Sequence, residues 1–279
     1  MTAEITLDQL TEIIPDEKRA WLDKSTADFD QFPFGSMQHF WQQNGFFLLN
    51  NFISHQLLDA YAARYEADNG AGNLYGYLSG TQYMAIPEIK HICLYAPLTE
   101  ILDGLIGEPM GLSLNLCAWV SSERNWHQDD YLNPPDVNGH YLACWIALDD
   151  IHPDSGVFQF VPGSHKWPVM RGEKVRAMLT HEEQAHDRWP KKAERFVNKL
   201  YDEEIERRGA EIMSVDLKKG DVLIWHSWLV HRGSAPKTPG MERRALIAHY
   251  SGIHHRPDMA KPQLYENTET NSKGYFFPF

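Results

Sequence analysis

Cysteine is scarce. Cys93, Cys117 and Cys144 are an odd three without CxxC spacing, which is no disulfide framework and reads as reduced, mostly buried thiols of a cytoplasmic protein. Positive charge is short as well: 26 Lys and Arg face 38 Asp and Glu, for a formal net charge of -12. That balance argues against nucleic acid and anionic membranes as partners, since both need basic clusters. No apolar run approaches the ~20 residues that span a bilayer. The start, Met1-Thr2-Ala3-Glu4-Ile5, lacks the basic and apolar regions of a secretory signal. Hydrophobic residues make up 43% of the 279 positions, enough to bury a substantial core.

The chain reads as helices first, then sheet. Residues 1–35 predict a short amphipathic helix and an arm packed on the body. A helix closed by Gly45 follows from Ser36, then a short strand Phe46–Leu49 and a second helix from Ser54 to about Glu66. Residues 68–84, rich in Gly, Asn, Tyr and Ser, read equally well as a loop over a pocket or as ordinary surface. Residues 91–107 predict a further helix. From Met110 the period becomes strand-like, with segments at 111–120, 141–148, 157–161, 212–217, 222–225 and 243–250, so an antiparallel sandwich or barrel is expected. A charged, helix-forming insertion occupies 170–209. The tail 254–279 is Pro-rich, but four aromatics (Tyr275, Phe276, Phe277, Phe279) are costly to leave in water, so it is expected to pack back. No repeat or low-complexity tract divides the chain, which predicts one domain over 1–279: a mainly helical part to 109, a β core over 110–253 carrying the insertion, and the tail.

Within Trp126-His127-Gln128-Asp129-Asp130, His127 and Asp129 stand two positions apart and project to one side of an extended segment. They present one imidazole nitrogen and one carboxylate oxygen to a single metal ion. His231 is the best third ligand downstream; two His and one carboxylate on one face leave the other open, as in oxygen-activating Fe(II) sites. His226, five residues earlier on a continuous strand, points the opposite way. A hairpin after His231 would bring Arg243 and Arg244 onto a neighbouring strand. One of the two, facing inward, needs an anionic partner, and a dicarboxylate supplies it. His165 shapes the Pro162-Gly163-Ser164-His165 turn, His181 and His186 are solvated, and Asp130 reads as a surface acid in preference to a support behind the metal ligands. Trp119, Trp126, Trp225 and Trp228 read as core or pocket wall.

These pieces resemble the phytanoyl-CoA dioxygenase-like branch of Fe(II)/2-oxoglutarate-dependent oxygenases. The resemblance rests on Phe40–Phe47, His127-Gln128-Asp129, Cys144-Trp145, Ser155-Gly156, Pro162–Lys166, Gly220–His226, His231 and Arg243, in the family's order. It implies a mainly β fold with flanking helices, a double-stranded β-helix or jelly roll of the cupin kind. It implies His127, Asp129 and His231 as ligands of Fe(II), with Arg243 on the distal carboxylate of 2-oxoglutarate. Asn115, Trp145 and Ser234 are implied around that co-substrate. Arg232 stands where the family usually has Gly, which lengthens the turn after His231.

The reaction implied is a dioxygenase one, consuming O₂ and 2-oxoglutarate, releasing succinate and CO₂ and hydroxylating a C–H bond. The expected substrate is a small polar metabolite or natural-product intermediate, since no basic cluster marks a CoA phosphate site. Asp129 leaves no ligand position vacant for chloride, which disfavours halogenation; desaturation, epoxidation and ring formation stay open. Two other readings compete: a jelly-roll metal- or ligand-binding protein without turnover, and a zinc hydrolase, which leaves Arg243 without a role. Oligomeric state is not legible.

Overall fold

The computed structural model describes residues 5–15, 34–69, 80–121, 123–186 and 188–279. The expected arm over 16–33 and the centre of the Gly-rich loop, 70–79, lie outside them. At the start, α1 (Leu7–Leu10) leads into β1 (Thr11–Glu12); α2 (Phe34–Asn44) ends at Gly45, whose φ of 72° closes it, and β2 (Phe46–Leu49) follows. Then come α3 (His55–Asn69), α4 (Pro87–Cys93) and α5 (Ala96–Ile106). The single helix expected over 91–107 is thus two. Pro97 lies in the first turn of α5 and donates no N–H, so it starts a helix well and cannot sit inside one.

The strands after Met110 are β3 (Met110–Ala118), β4 (Tyr141–Ala147) and β5 (Phe158–Phe160). The insertion supplies β6 (Val169–Met170), α6 (Gly172–Ala177), α7 (His181–Gln184) and α8 (Trp189–Arg208). Next are β7 (Met213–Ser214), β8 (Val222–His226), β9 (His231–Gly233) and β10 (Ala245–Gly252), and the tail forms β11 (Gln263–Asn267) and β12 (Ser272–Phe276). A large sheet runs β11-β12-β3-β10-β4-β8-β2, antiparallel except where β12 joins β3 in parallel, and a small sheet runs β7-β5-β9. The resulting mainly β architecture, with helices on its flank, is the jelly-roll class that the motifs implied.

Alternation along β10 assigns the two faces of the large sheet. Ala245 and Ile247 point toward the small sheet and pack with Ala143, Trp145, Leu223, Trp225, Phe158 and Phe160. Leu246, Ala248 and Tyr250 point the other way, onto Leu58, Tyr61, Ile89, Leu98 and Leu102 of the helices. Both faces are buried, so these strands read as continuous apolar runs rather than alternating ones. The insertion is helical as expected, and it packs on the body. Ala193, Val197, Leu200, Tyr201 and Ile205 form one apolar stripe on α8 and pack around Trp126 and Tyr131, beside His127 and Asp129.

The tail comes back as the β11–β12 hairpin, burying Phe276 and Phe277. Phe279, also expected to pack, is 71% exposed. No helix among the described residues is long and apolar enough to cross a membrane.

At the end of α5, Asp103 accepts the Met110 N–H at 2.7 Å. Burial pushes its carboxyl up to about 7, against that hydrogen bond. The folded chain therefore binds this proton more tightly than the unfolded chain, and stability falls as pH rises from ~4 to ~7 and stays reduced above. Asp103→Asn keeps an acceptor for Met110 and is expected to flatten that decline. Thermal melts from pH 4 to 8 check it, with about 2–4 °C gained at the alkaline end per kcal/mol recovered.

Candidate metal centre

His127 and His231 meet through a reciprocal backbone bridge, each N–H donating to the other's carbonyl at 3.0 Å. Two residues on, Asp129 N–H donates to Ser227 O at 2.8 Å. The segment after β3 is thus clamped along the approach to β9, and residues a hundred positions apart share one site. His127 Nε2 lies 3.4 Å from Asp129 Oδ1, and His231 Nε2 lies 3.6 Å from Asp129 Oδ2. All three donor atoms fall within 4.8 Å of one another, on buried side chains.

Each imidazole is oriented by its own chain two residues upstream. His127 Nδ1 donates to Asn125 O at 2.7 Å and His231 Nδ1 to Leu229 O at 2.9 Å. That leaves both Nε2 lone pairs facing the carboxylate. Burial pushes the His127 imidazole down to about 3, helped by the Arg124 charge, and burial lowers His231 as well. Burial alone would raise Asp129, but the imidazoles of His231, His127 and His249 outweigh it, and the carboxyl sits well below its usual range. Trp225 Nε1–H adds a 2.9 Å hydrogen bond to Asp129 Oδ2. Two neutral lone pairs and an ionised carboxylate this close repel one another unless a cation lies between them, so the donor set fits a divalent metal.

Trp225→Phe keeps the ring packing and removes that N–H. Metal affinity is expected to drop 10–100-fold, roughly the typical cost of an outer-shell change, measured by anaerobic Fe(II) or Co(II) titration.

The three donors open onto a cavity of ≈ 50 Å³ between the two sheets, walled by Trp145, Phe158, Trp225 and Ile247 and reached by Arg243 and Arg124. Arg243 is buried, hydrogen-bonds through Nη1 to Gly156 O, and lies 5.6 Å from the Trp145 ring centre. Gly156 is required there: at φ 84° a Cβ would meet Ser234 O at 2.5 Å. Arg244 faces outward, stacked on Trp119 at 4.2 Å and paired with Glu66, Asp149 and Glu242.

Two residues tied to the co-substrate are placed elsewhere. Asn115 is on the helix-facing side of β3, accepting from Tyr83 N–H at 2.9 Å, while its neighbour Leu116 takes the cavity position. Ser234 donates to Val157 O at 2.9 Å on the outer side of the turn, and Gly233 is the one that lines the cavity. In each case the alternation of an extended chain puts the named side chain on the wrong face. The expected hairpin between His231 and the arginines is also absent: β9 belongs to the small sheet and β10 to the large one, so the cavity lies between them.

Other residues resolve differently. His226 is buried on the helix side, its Nε2 bonded to Gly139 O at 3.1 Å. His165 lies buried under Gly45, bonded to Gln42 O at 3.1 Å. Asp130 is no surface acid; it is buried, accepts Gly139 N–H at 2.8 Å and pairs with Arg171. Arg124 and His249 also line the cavity, and neither was singled out from the sequence. His249 had a signal, lying six residues beyond Arg243 and so on the same face of an extended chain.

A family model described as phytanoyl-CoA dioxygenase (PhyH) matches residues 120–245, the stretch that holds all three donors. Over that stretch the chain is similar to phytanoyl-CoA dioxygenases. A probable phytanoyl-CoA dioxygenase of Caenorhabditis elegans is 26% identical over 180 residues, 59% of this chain and 51% of that protein. The peroxisomal phytanoyl-CoA dioxygenase of Mus musculus is 22% identical over 271 residues, covering 85% of this chain and 72% of the mouse protein. The match thus spans about half the length of the worm relative. Among solved structures, EctD from S. alaskensis with bound Fe superposes with a TM-score of 0.59 at 16% identity, covering 96% of this chain and 89% of that one. SnoN, a non-heme alpha-ketoglutarate-dependent epimerase from nogalamycin biosynthesis, has a TM-score of 0.58 at 17% identity, covering 80% and 84%. At those identities the likeness is one of fold.

Proposed function

We propose that this chain is an Fe(II)- and 2-oxoglutarate-dependent dioxygenase, with His127, Asp129 and His231 holding the metal and Arg243 holding the distal carboxylate of 2-oxoglutarate. The observation that carries this is the convergence of three buried donors and one buried guanidinium on a single cavity. A ferrous ion there, with 2-oxoglutarate, supplies oxygen activation coupled to decarboxylation to succinate and CO₂. The protein's own residues do the rest. Asn125 O and Leu229 O hold the imidazoles in the metal-binding tautomer, Trp225 steadies the carboxylate, and Trp145, Phe158 and Ile247 exclude water from the reacting face.

The substrate we favour is a small polar metabolite or natural-product intermediate, oxidised at a C–H bond by hydroxylation. Support comes from the modest cavity and from Arg124, a second positive group beside it in an acidic chain. The direct test is anaerobic addition of Fe(II) and 2-oxoglutarate, which should produce a visible charge-transfer band. Admission of O₂ with a metabolite pool should then release succinate. No band and no succinate would leave a non-catalytic metal- or ligand-binding protein. Activity with Zn²⁺ and no need for O₂ would mark a hydrolase.

A further inference from the structure

A second cluster of metal-ligating side chains stands apart from the first. Glu108 precedes β3, His140 precedes β4, and His255 follows β10, so three neighbouring strands deliver one donor each to the same end of the large sheet. Their donor atoms lie within 4.8 Å of one another, on side chains that are 18–28% exposed. Both imidazoles address the same oxygen: His140 Nδ1 contacts Glu108 Oε1, and His255 Nε2 lies 3.4 Å from it.

From these positions we propose that Glu108, His140 and His255 form a second divalent-cation site, of the zinc class, independent of the function proposed above. His255 argues for it most directly. Its Nδ1 donates to Asp136 O at 3.2 Å, so the neutral ring turns a lone pair onto the Glu108 carboxylate. A ring held between two acceptors needs either a second proton or a metal ion. The His140 ring is stacked flat against it, centroids 3.7 Å apart and planes within 10°. Two stacked imidazolium cations would repel, whereas one ion serves both nitrogens and the carboxylate. The backbone is shaped for it too. A Cβ on Gly252 would meet Glu108 Oε1 at 2.6 Å and His255 Cδ2 at 2.9 Å, so the carboxylate and the ring lie directly over that glycine and a side chain there would displace them.

Two nitrogens and one oxygen suit Zn²⁺ better than Ca²⁺ or Mg²⁺, and partial exposure leaves room for water as the fourth ligand. Bound there, the ion ties three strand ends together. Through Asp136 it also ties down the 130–140 segment, which leaves Asp129 directly.

The test uses the full chain carrying His127→Ala and Asp129→Ala, so that the first site is disabled, stripped with chelator and titrated with Zn²⁺ alone at about pH 7.5, because ligand protonation competes with metal. One Zn²⁺ per chain is expected, with Tm rising by about 5 °C or more at saturation. Adding His255→Ala, or separately Glu108→Gln, should weaken binding at least ~10-fold, with circular dichroism of the metal-free forms reporting that the fold is retained. The amide variant keeps the size of the side chain and serves if the alanine variant unfolds. The proposal is overturned by no Zn²⁺ uptake in the parent, or by uptake that folded forms of both variants leave unchanged.

Discussion

Arg243→Ala is expected to raise KM for 2-oxoglutarate by roughly 30- to 4,000-fold, the equivalent of about 2–5 kcal/mol for losing one partner of a buried charge pair. Arg244→Ala next door should change KM less than about threefold, because its ion pairs lie on the outer surface. The contrast matters more than either number. Both substitutions remove a guanidinium from adjacent positions, so general loss of charge or of strand propensity affects both alike. Arg243→Lys should not restore the enzyme, since an ammonium cannot offer a carboxylate two parallel N–H donors. Steady-state kinetics with varied 2-oxoglutarate decide it. Equal KM values for the two alanine variants would remove Arg243 from the site.

Asp129→Ala should abolish turnover by more than about a hundredfold, beyond the 10–100-fold that outer-shell changes typically cost. It removes the only carboxylate of the three donors and leaves Trp225 Nε1–H without its acceptor. The buried N–H adds a stability cost of about 1–3 kcal/mol, so Tm should fall while the fold persists. The anaerobic charge-transfer band should vanish in the same variant. Retained iron and retained turnover in a folded Asp129→Ala protein would mean that the metal is held elsewhere.

How far the sequence led depends on how local each signal is. His127 and Asp129 were legible because two-residue spacing on an extended segment is a property of the backbone. His226 also lies away from the three donors, but not by that parity, because β8 ends at His226 and β9 belongs to the other sheet. Asn115 was not legible, and the reason lies in β3. Leu112, Leu114 and Leu116 look like one face of a strand, but the register slips opposite His249 and Tyr250. Leu112 therefore packs on the helices while Leu116 faces the cavity. A one-residue slip exchanges the faces of everything beyond it, and with both faces apolar no pattern betrays it. Ser234 failed for a related reason, since the chain changes sheets between His231 and Ala245 instead of folding back as a hairpin. The helical character of the insertion was plain from its composition, but its packing was not, since the apolar stripe of α8 emerges only at helical spacing. Glu108, His140 and His255 share no spacing at all, so only the folded chain brings them together.

The i−2 carbonyls that hold His127 and His231 are main-chain atoms, whereas Asp129 leans on an indole side chain. Point substitution can therefore adjust the oxygen donor's support but has no handle on that of the two nitrogens short of bending the backbone. Under drift or directed evolution, the tuning of this centre should accumulate around position 225, while exposed position 125 tolerates most residues that preserve its local conformation and buried position 229 is held by core packing rather than by its carbonyl.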